Sequence, residues 1–124
     1  MQHNSAFLKL VDDARQEVKE CDVHALKSEL DAGNNEYLII DVRDESEYAN
    51  GHVPNALHMS RGTIEVKIEQ LIPNKEQPAM LYCGGGFRSV LATESLQKMG
   101  YSSLISVDGG MRGWLAADYP VIKD

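Results

Sequence analysis

One cysteine in this chain stands where its neighbours could make it a nucleophile. Cys83 opens the run Cys83-Gly84-Gly85-Gly86-Phe87-Arg88-Ser89. The apolar stretch Ala79-Met80-Leu81-Tyr82 precedes it and reads as a buried strand. The stretch Val90 to Met99 follows and reads as a helix that Gly100 closes. A strand, a tight loop and a helix start are thus expected in succession. Glycines let a loop curl so that successive N–H groups point inward, because they tolerate positive φ and carry no Cβ. A ring of such groups is an anion nest, and the helix N-terminus adds partial positive charge. Arg88 adds a full one. This arrangement favours the thiolate, the reactive form of the residue. Phe87 and Ser89 complete the expected anion-binding loop.

Several other residues bear on that loop. Asp41 ends the apolar run Tyr37-Leu38-Ile39-Ile40, at the strand end where open α/β sheets place their sites. It is expected to accept hydrogen bonds from the Cys83 loop and hold its shape. The alternative is an ordinary turn aspartate. Contact with the sulfur itself would work against a thiolate, so the role expected of Asp41 is scaffolding. Arg43 and Glu47, four residues apart, are spaced to pair with each other. Arg88 has two readings. It faces the site and binds anions, or it turns inward and bridges to Asp41 or Glu47. Arg61 opens a helical stretch and reaches over the site mouth, or else is a solvated surface arginine. His52, in Gly51-His52-Val53-Pro54, is expected to fix its loop. Trp114 is expected in the core or in the wall beside the Cys83 loop. Cys21 sits among charged residues at a helix–strand junction and is incidental or, less simply, a resolving thiol.

The elements that must position these residues are legible from periodicity and breakers. Phe7, Val11, Ala14 and Val18 form one helical stripe within residues 5–20. That helix packs on the domain or makes a dimer or partner contact. Asp22 is an N-cap for a helix over Val23–Ala32, stopped by Gly33. Asp44 caps a short helix from Glu45 to Asn50. A turn over residues 51–56 leads to a short strand at Leu57-His58, and a helical stretch runs from Arg61 to Leu71. A strand at Ser103–Val107 and a last helix at Met111–Ala117 follow. Strands alternating with helices predict an α/β fold with a mostly parallel sheet.

The chain has 124 residues and a net charge of −7. Its length suits one domain with a single core: an N-terminal helical extension over residues 1–20 and the main unit over 21–124. The acidic balance argues against a nucleic-acid partner. It also means that an anionic substrate must be drawn by a local field. No apolar run has the length of a membrane helix. The opening residues lack the basic and apolar blocks of a secretory signal, so a cytoplasmic location is the default expectation. Two distant cysteines suggest neither a disulfide framework nor a metal cluster.

The Cys83 loop also resembles the active loop of rhodanese-like sulfurtransferases. The resemblance extends to Asp41-Val42-Arg43, Glu47-Tyr48, Gly51 to Ala56, and Gly109-Gly110-Met111-Arg112-Gly113-Trp114 with Pro120-Val121. It spans residues 22–122. It implies a five-stranded, mainly parallel sheet flanked by helices on both faces, with the N-terminal amphipathic helix as an addition. It implies transfer of a sulfane sulfur through a persulfide on Cys83, from thiosulfate or a persulfide donor to cyanide, a thiol or a protein acceptor, with no metal or organic cofactor. Relatives that handle thiosulfate well carry extra basic residues in the loop, where residues 84–86 here are all glycine. Two rival functions follow from the same resemblance. The protein itself is expected as a monomer or as a homodimer through the N-terminal helix, and one rival is a sulfur-carrier or regulatory module without turnover. The other is a phosphatase or arsenate reductase, whose loops are one residue longer than the four that separate Cys83 from Arg88 here.

Overall fold

The computed structural model describes residues 3–123. Met1, Gln2 and Asp124, which the expected units 1–20 and 21–124 include, lie outside the described residues. The chain runs α1 (Ser5–Arg15), β1 (Lys19–Cys21), α2 (Val23–Ala32), β2 (Leu38–Asp41), α3 (Glu45–Ala49), β3 (Leu57–His58), α4 (Ile64–Leu71), β4 (Ala79–Tyr82), α5 (Phe87–Lys98), β5 (Leu104–Val107) and α6 (Gly110–Ala116). The five strands form one sheet in the order β1-β5-β4-β2-β3, and every pairing is parallel. All carboxyl ends therefore lie along one edge, with β4 in the middle.

Two apolar clusters cover the sheet. Ile40 and Leu81 belong to one, with Ile64, Ile68, Ala92 and Leu96 from α4 and α5. Ile39, Met80 and Tyr82 belong to the other, with Val23 and Leu26 from α2 and Met111 and Trp114 from α6. Neighbouring strand residues thus feed opposite faces, as the period of two requires. Burial on both faces explains why β2 and β4 read as continuous apolar runs. Trp114 is fully buried and its Nε1 donates to the carbonyl of Pro120 at 2.8 Å.

α2 is bracketed as its sequence requires. The Asp22 side chain accepts from the Ala25 N–H at 3.0 Å, and Gly33 ends the helix in the left-handed conformation.

The N-terminal segment differs from expectation. The helix stops at Arg15 rather than running to residue 20, because Lys19–Cys21 leaves it to pair with β5. The boundary expected after residue 20 falls inside this edge strand. α1 meets the sheet at its end, where Arg15 pairs with Glu20 of β1. Its stripe packs on the outer side of α5, where Val11, Ala14 and Val90 are buried with Phe7, Val18, Phe87 and Leu91 around them. α5 is consequently apolar on two sides, one toward the sheet and one toward α1. The stripe that could have served a dimer contact is covered within the chain.

Candidate active site

Cys83 directly follows β4, the central strand, and is 1% exposed. Its Sγ accepts from the Gly86 N–H at 3.1 Å and from the Ser89 N–H at 3.4 Å. The Ser89 hydroxyl lies 3.6 Å away. Ser106, fully buried on β5, donates to Ser89 Oγ at 2.9 Å. Ser89 Oγ thus accepts from both Ser106 and the Cys83 thiol. The N–H groups of Gly84 and Gly85 carry no hydrogen bond to a described residue. The sulfur therefore sits at the rim of a partly unfilled ring of donors.

The three glycines do different things. Only Gly86 takes a positive φ, +105°. Gly84 and Gly85 make room: a Cβ on Gly84 would lie 3.2 Å from Arg88 Nη2, and one on Gly85 would lie 3.2 Å from Arg112 Nη2. The loop is fastened from behind by α6. Met111 N–H donates to the Cys83 carbonyl at 2.8 Å and Arg112 N–H to the Gly84 carbonyl at 3.0 Å. Gly110, φ +51°, allows this approach, since a Cβ there would sit 2.3 Å from the Cys83 carbonyl oxygen.

Arg88 takes the inward of its two readings. It forms a two-pronged ion pair with Glu47 of α3, at 2.8 and 3.1 Å. The Arg88 hydrogen bond holds the Glu47 carboxyl below its ordinary value, against the opposing effect of burial. Glu47 raises the Arg88 guanidinium in turn. Arg43 does not pair with Glu47. It turns to Asp41, with contacts of 2.7 and 3.1 Å, and donates to the Gly51 carbonyl at 2.7 Å. Asp41 is fully buried and accepts from Arg43 and from the Tyr82 hydroxyl at 2.7 Å, not from the N–H groups of the Cys83 loop. Its carboxylate is used up by groups two residues away in sequence and directly across the β2–β4 pair. Its link to Cys83 runs through Tyr82, the residue before it.

Arg61 does not line the site. The helix expected from Arg61 begins only at Ile64, so Arg61 lies in the turn before α4 and pairs with Glu65 of its first turn at 3.1 Å. His52 is buried, hydrogen-bonded to the Val53 carbonyl at 2.9 Å and stacked on Tyr48 at 4.0 Å. It fixes its loop. Cys21 is half-buried at the end of β1, and burial, then Asp22 and Glu20, push its thiol up to about 11. That makes it a poor nucleophile at neutral pH.

Above Cys83 lies a cleft of about 720 Å³. Its walls come from the segments after β2 (Arg43, Asp44), β4 (the Cys83 loop) and β5 (Met111, Arg112, Leu115), and from the N-terminal segment through His3 and Phe7. Sequence reasoning gave no role to Arg112, Ser106, Tyr82, His3 or Phe7 at this site. For Ser106 a signal existed, a lone hydroxyl in the apolar strand Leu104-Ile105-Ser106-Val107. Among the described residues no group of three or more His, Cys, Asp or Glu is placed to hold a metal ion, and no helix is long and apolar enough to cross a membrane.

The profile of the rhodanese-like domain matches residues 22–117. The Bacillus subtilis protein named "Putative sulfurtransferase YtwF" is 38% identical over 98 residues, 79% of this chain and 91% of that protein. A sulfurtransferase of Allochromatium vinosum is 30% identical over 105 residues, 85% of this chain and 95% of that one. The solution structure of a homodimeric polysulfide-sulfur transferase from Wolinella succinogenes superposes with a TM-score of 0.79 at 28% identity, over 97% of this chain and 89% of that one.

Proposed function

The chain belongs to the rhodanese-like domain family, and from that premise we propose that it is a sulfurtransferase working through a persulfide on Cys83. The observation that carries this reading is the cradle. A cysteine sulfur accepts two backbone N–H bonds at the end of the central strand and faces an open cleft. Such donors stabilise an anionic sulfur as an oxyanion hole stabilises oxygen.

The reaction has two steps. The Cys83 thiolate attacks the outer sulfur of thiosulfate. A new S–S bond forms, the donor's S–S bond breaks, and sulfite leaves with the electron pair. Cys83 then carries a terminal S⁻, held by the loop N–H groups with Ser89 beside it. In the second step cyanide or a thiolate attacks that outer sulfur. The Cys83 S–S bond breaks toward the enzyme, which regains its thiolate and releases thiocyanate or an organic persulfide. A persulfide donor enters the first step in the same way, with a thiolate leaving in place of sulfite. This is covalent, ping-pong catalysis, and it uses no cofactor. Arg88 keeps the loop in shape through Glu47 rather than touching the substrate.

The four-residue gap between Cys83 and Arg88 supports sulfur rather than phosphate as the occupant. So does the withdrawal of Arg88 to Glu47, which leaves no guanidinium from this position to clasp a tetrahedral oxyanion.

Intact-protein mass spectrometry tests the proposal. The native chain is expected to gain one sulfur atom from excess thiosulfate or an organic persulfide and to lose it to cyanide. Cys83→Ser is expected to gain none. Absence of any gain with both donors would overturn the reading. Cys83-dependent hydrolysis of a phosphotyrosine mimic would replace it with the phosphatase reading.

A further inference from the structure

The cleft is larger than the substrates of the simple assay need. Thiosulfate and cyanide have a handful of heavy atoms between them, whereas a space of about 720 Å³ is of the size that holds an organic ligand. Its walls are uneven. One side is an aromatic group built partly by the N-terminal segment, which lies outside the matched residues 22–117. The His3 ring meets the Phe87 ring edge-on at 4.8 Å, Phe7 meets Phe87 at 6.0 Å, and His3 and Phe7 are 5.1 Å apart. Phe87 is also a residue of the Cys83 loop, so this wall is continuous with the sulfur cradle. Met111 and Leu115 continue the apolar lining.

The charge is uneven too. Three arginines line the cleft. Arg43 is neutralised by Asp41 and Arg88 by Glu47. Arg112 has no carboxylate partner among the described residues. Its guanidinium hangs directly over Gly85.

We propose that the cleft selects an organic thiol with an apolar or aromatic body and a carboxylate as the sulfur acceptor, the body lying against the His3–Phe7–Phe87 wall and the carboxylate on Arg112. This rests on the sulfur-transfer reading and names the substrate class of that site. The α1 segment is then a selectivity wall as well as a packing layer. In the transfer, the acceptor's thiolate bonds to the outer sulfur of the Cys83 persulfide, the Cys83 S–S bond breaks with its electron pair going to Cys83, and the acceptor leaves as its persulfide. Cyanide reaches the same sulfur without using either wall.

The test is single-turnover transfer from persulfide-loaded protein, with loading verified by mass. Three acceptors are compared: 4-mercaptobenzoate, uncharged 4-methylthiophenol and cyanide. Reading each variant against the native chain cancels the thiols' own reactivities. Arg112→Gln is expected to reduce the rate with 4-mercaptobenzoate about tenfold relative to 4-methylthiophenol, and Arg112→Lys to restore part of it. Phe7→Ala is expected to lower both aryl thiols by about three- to tenfold relative to cyanide. A chain that loads and transfers but shows ratios unchanged within about twofold in both variants would overturn this inference and leave sulfur transfer standing. A chain that never loads would overturn both.

Discussion

Tyr82 holds the strand end that carries Cys83. Its hydroxyl donates to Asp41 and accepts from the Val53 N–H at 3.1 Å, tying β4 to β2 and to the turn before β3. Burial, then the Asp41 carboxylate, raise its titration far above that of a free tyrosine. A raised folded value stabilises the protein below the ordinary tyrosine value of 10.0. Above that pH the unfolded chain loses its proton first, so stability is expected to fall as pH rises past it. Urea titrations at increasing pH check this, with Tyr82→Phe lacking that contribution. At neutral pH, Tyr82→Phe is expected to cost about 1–3 kcal/mol by orphaning a buried N–H. Asp41→Ala is expected to cost about 3–5 kcal/mol, because it leaves Arg43 buried without its partner. The role of Asp41 was only half legible. Its place at a strand end is written in the apolar run before it. Its partners are not, since Tyr82 is far off in sequence and meets it only through strand register. The two thiols separate by environment. Brief alkylation at neutral pH, mapped by peptide mass, is expected to mark Cys83 and spare Cys21, whose thiol is pushed up to about 11.

Between elements, two fastenings set the loop. The first joins α3 to α5 through Glu47 and Arg88. Because the Glu47 value is lowered on folding, its contribution is present above the ordinary carboxylate value of 4.5 and is lost as pH falls below it. Both side chains are about one-third exposed, so the pair is worth about 1 kcal/mol or less. Glu47→Gln is therefore expected to melt near the native chain and to transfer sulfur severalfold more slowly, as the loop loses its tether. Steady-state assays beside thermal melts separate the two effects. The second fastening is α6 on the back of the Cys83 loop. Gly110→Ala is expected to force them apart, lowering stability by about 1–3 kcal/mol and sulfur loading by more. The motif around Gly109-Gly110 was visible in sequence, but the contact that requires it was not. The same limit explains the Arg43–Glu47 expectation. Helical spacing suggested that pair, yet the fully buried Asp41 took Arg43 and Arg88 of α5 took Glu47. β1 escaped notice for another reason. Lys19-Glu20-Cys21 is an exposed edge and lacks the apolar run that betrays a central strand.

At the scale of the whole molecule, the parallel sheet collects every strand's carboxyl end at one edge, and the N-terminal layer reaches around to the same edge. Val11→Asp is expected to loosen α1 from α5 and to cost about 2–4 kcal/mol through a buried charge, with the sheet's circular dichroism retained. What that layout implies concerns time. β1 pairs with β5, so this edge strand has no sheet partner until the much later Leu104–Val107 exists. Such distant contacts are slow to close. The cysteine is synthesised well before Ser106 and the α6 amides that complete its surroundings. On the proposed function, a chain made only as far as α5 lacks part of the Cys83 cradle, and gains it once Ser106 and α6 have been made. Chains stalled on the ribosome short of residue 104 are expected to take up no sulfur from a donor that loads the finished protein.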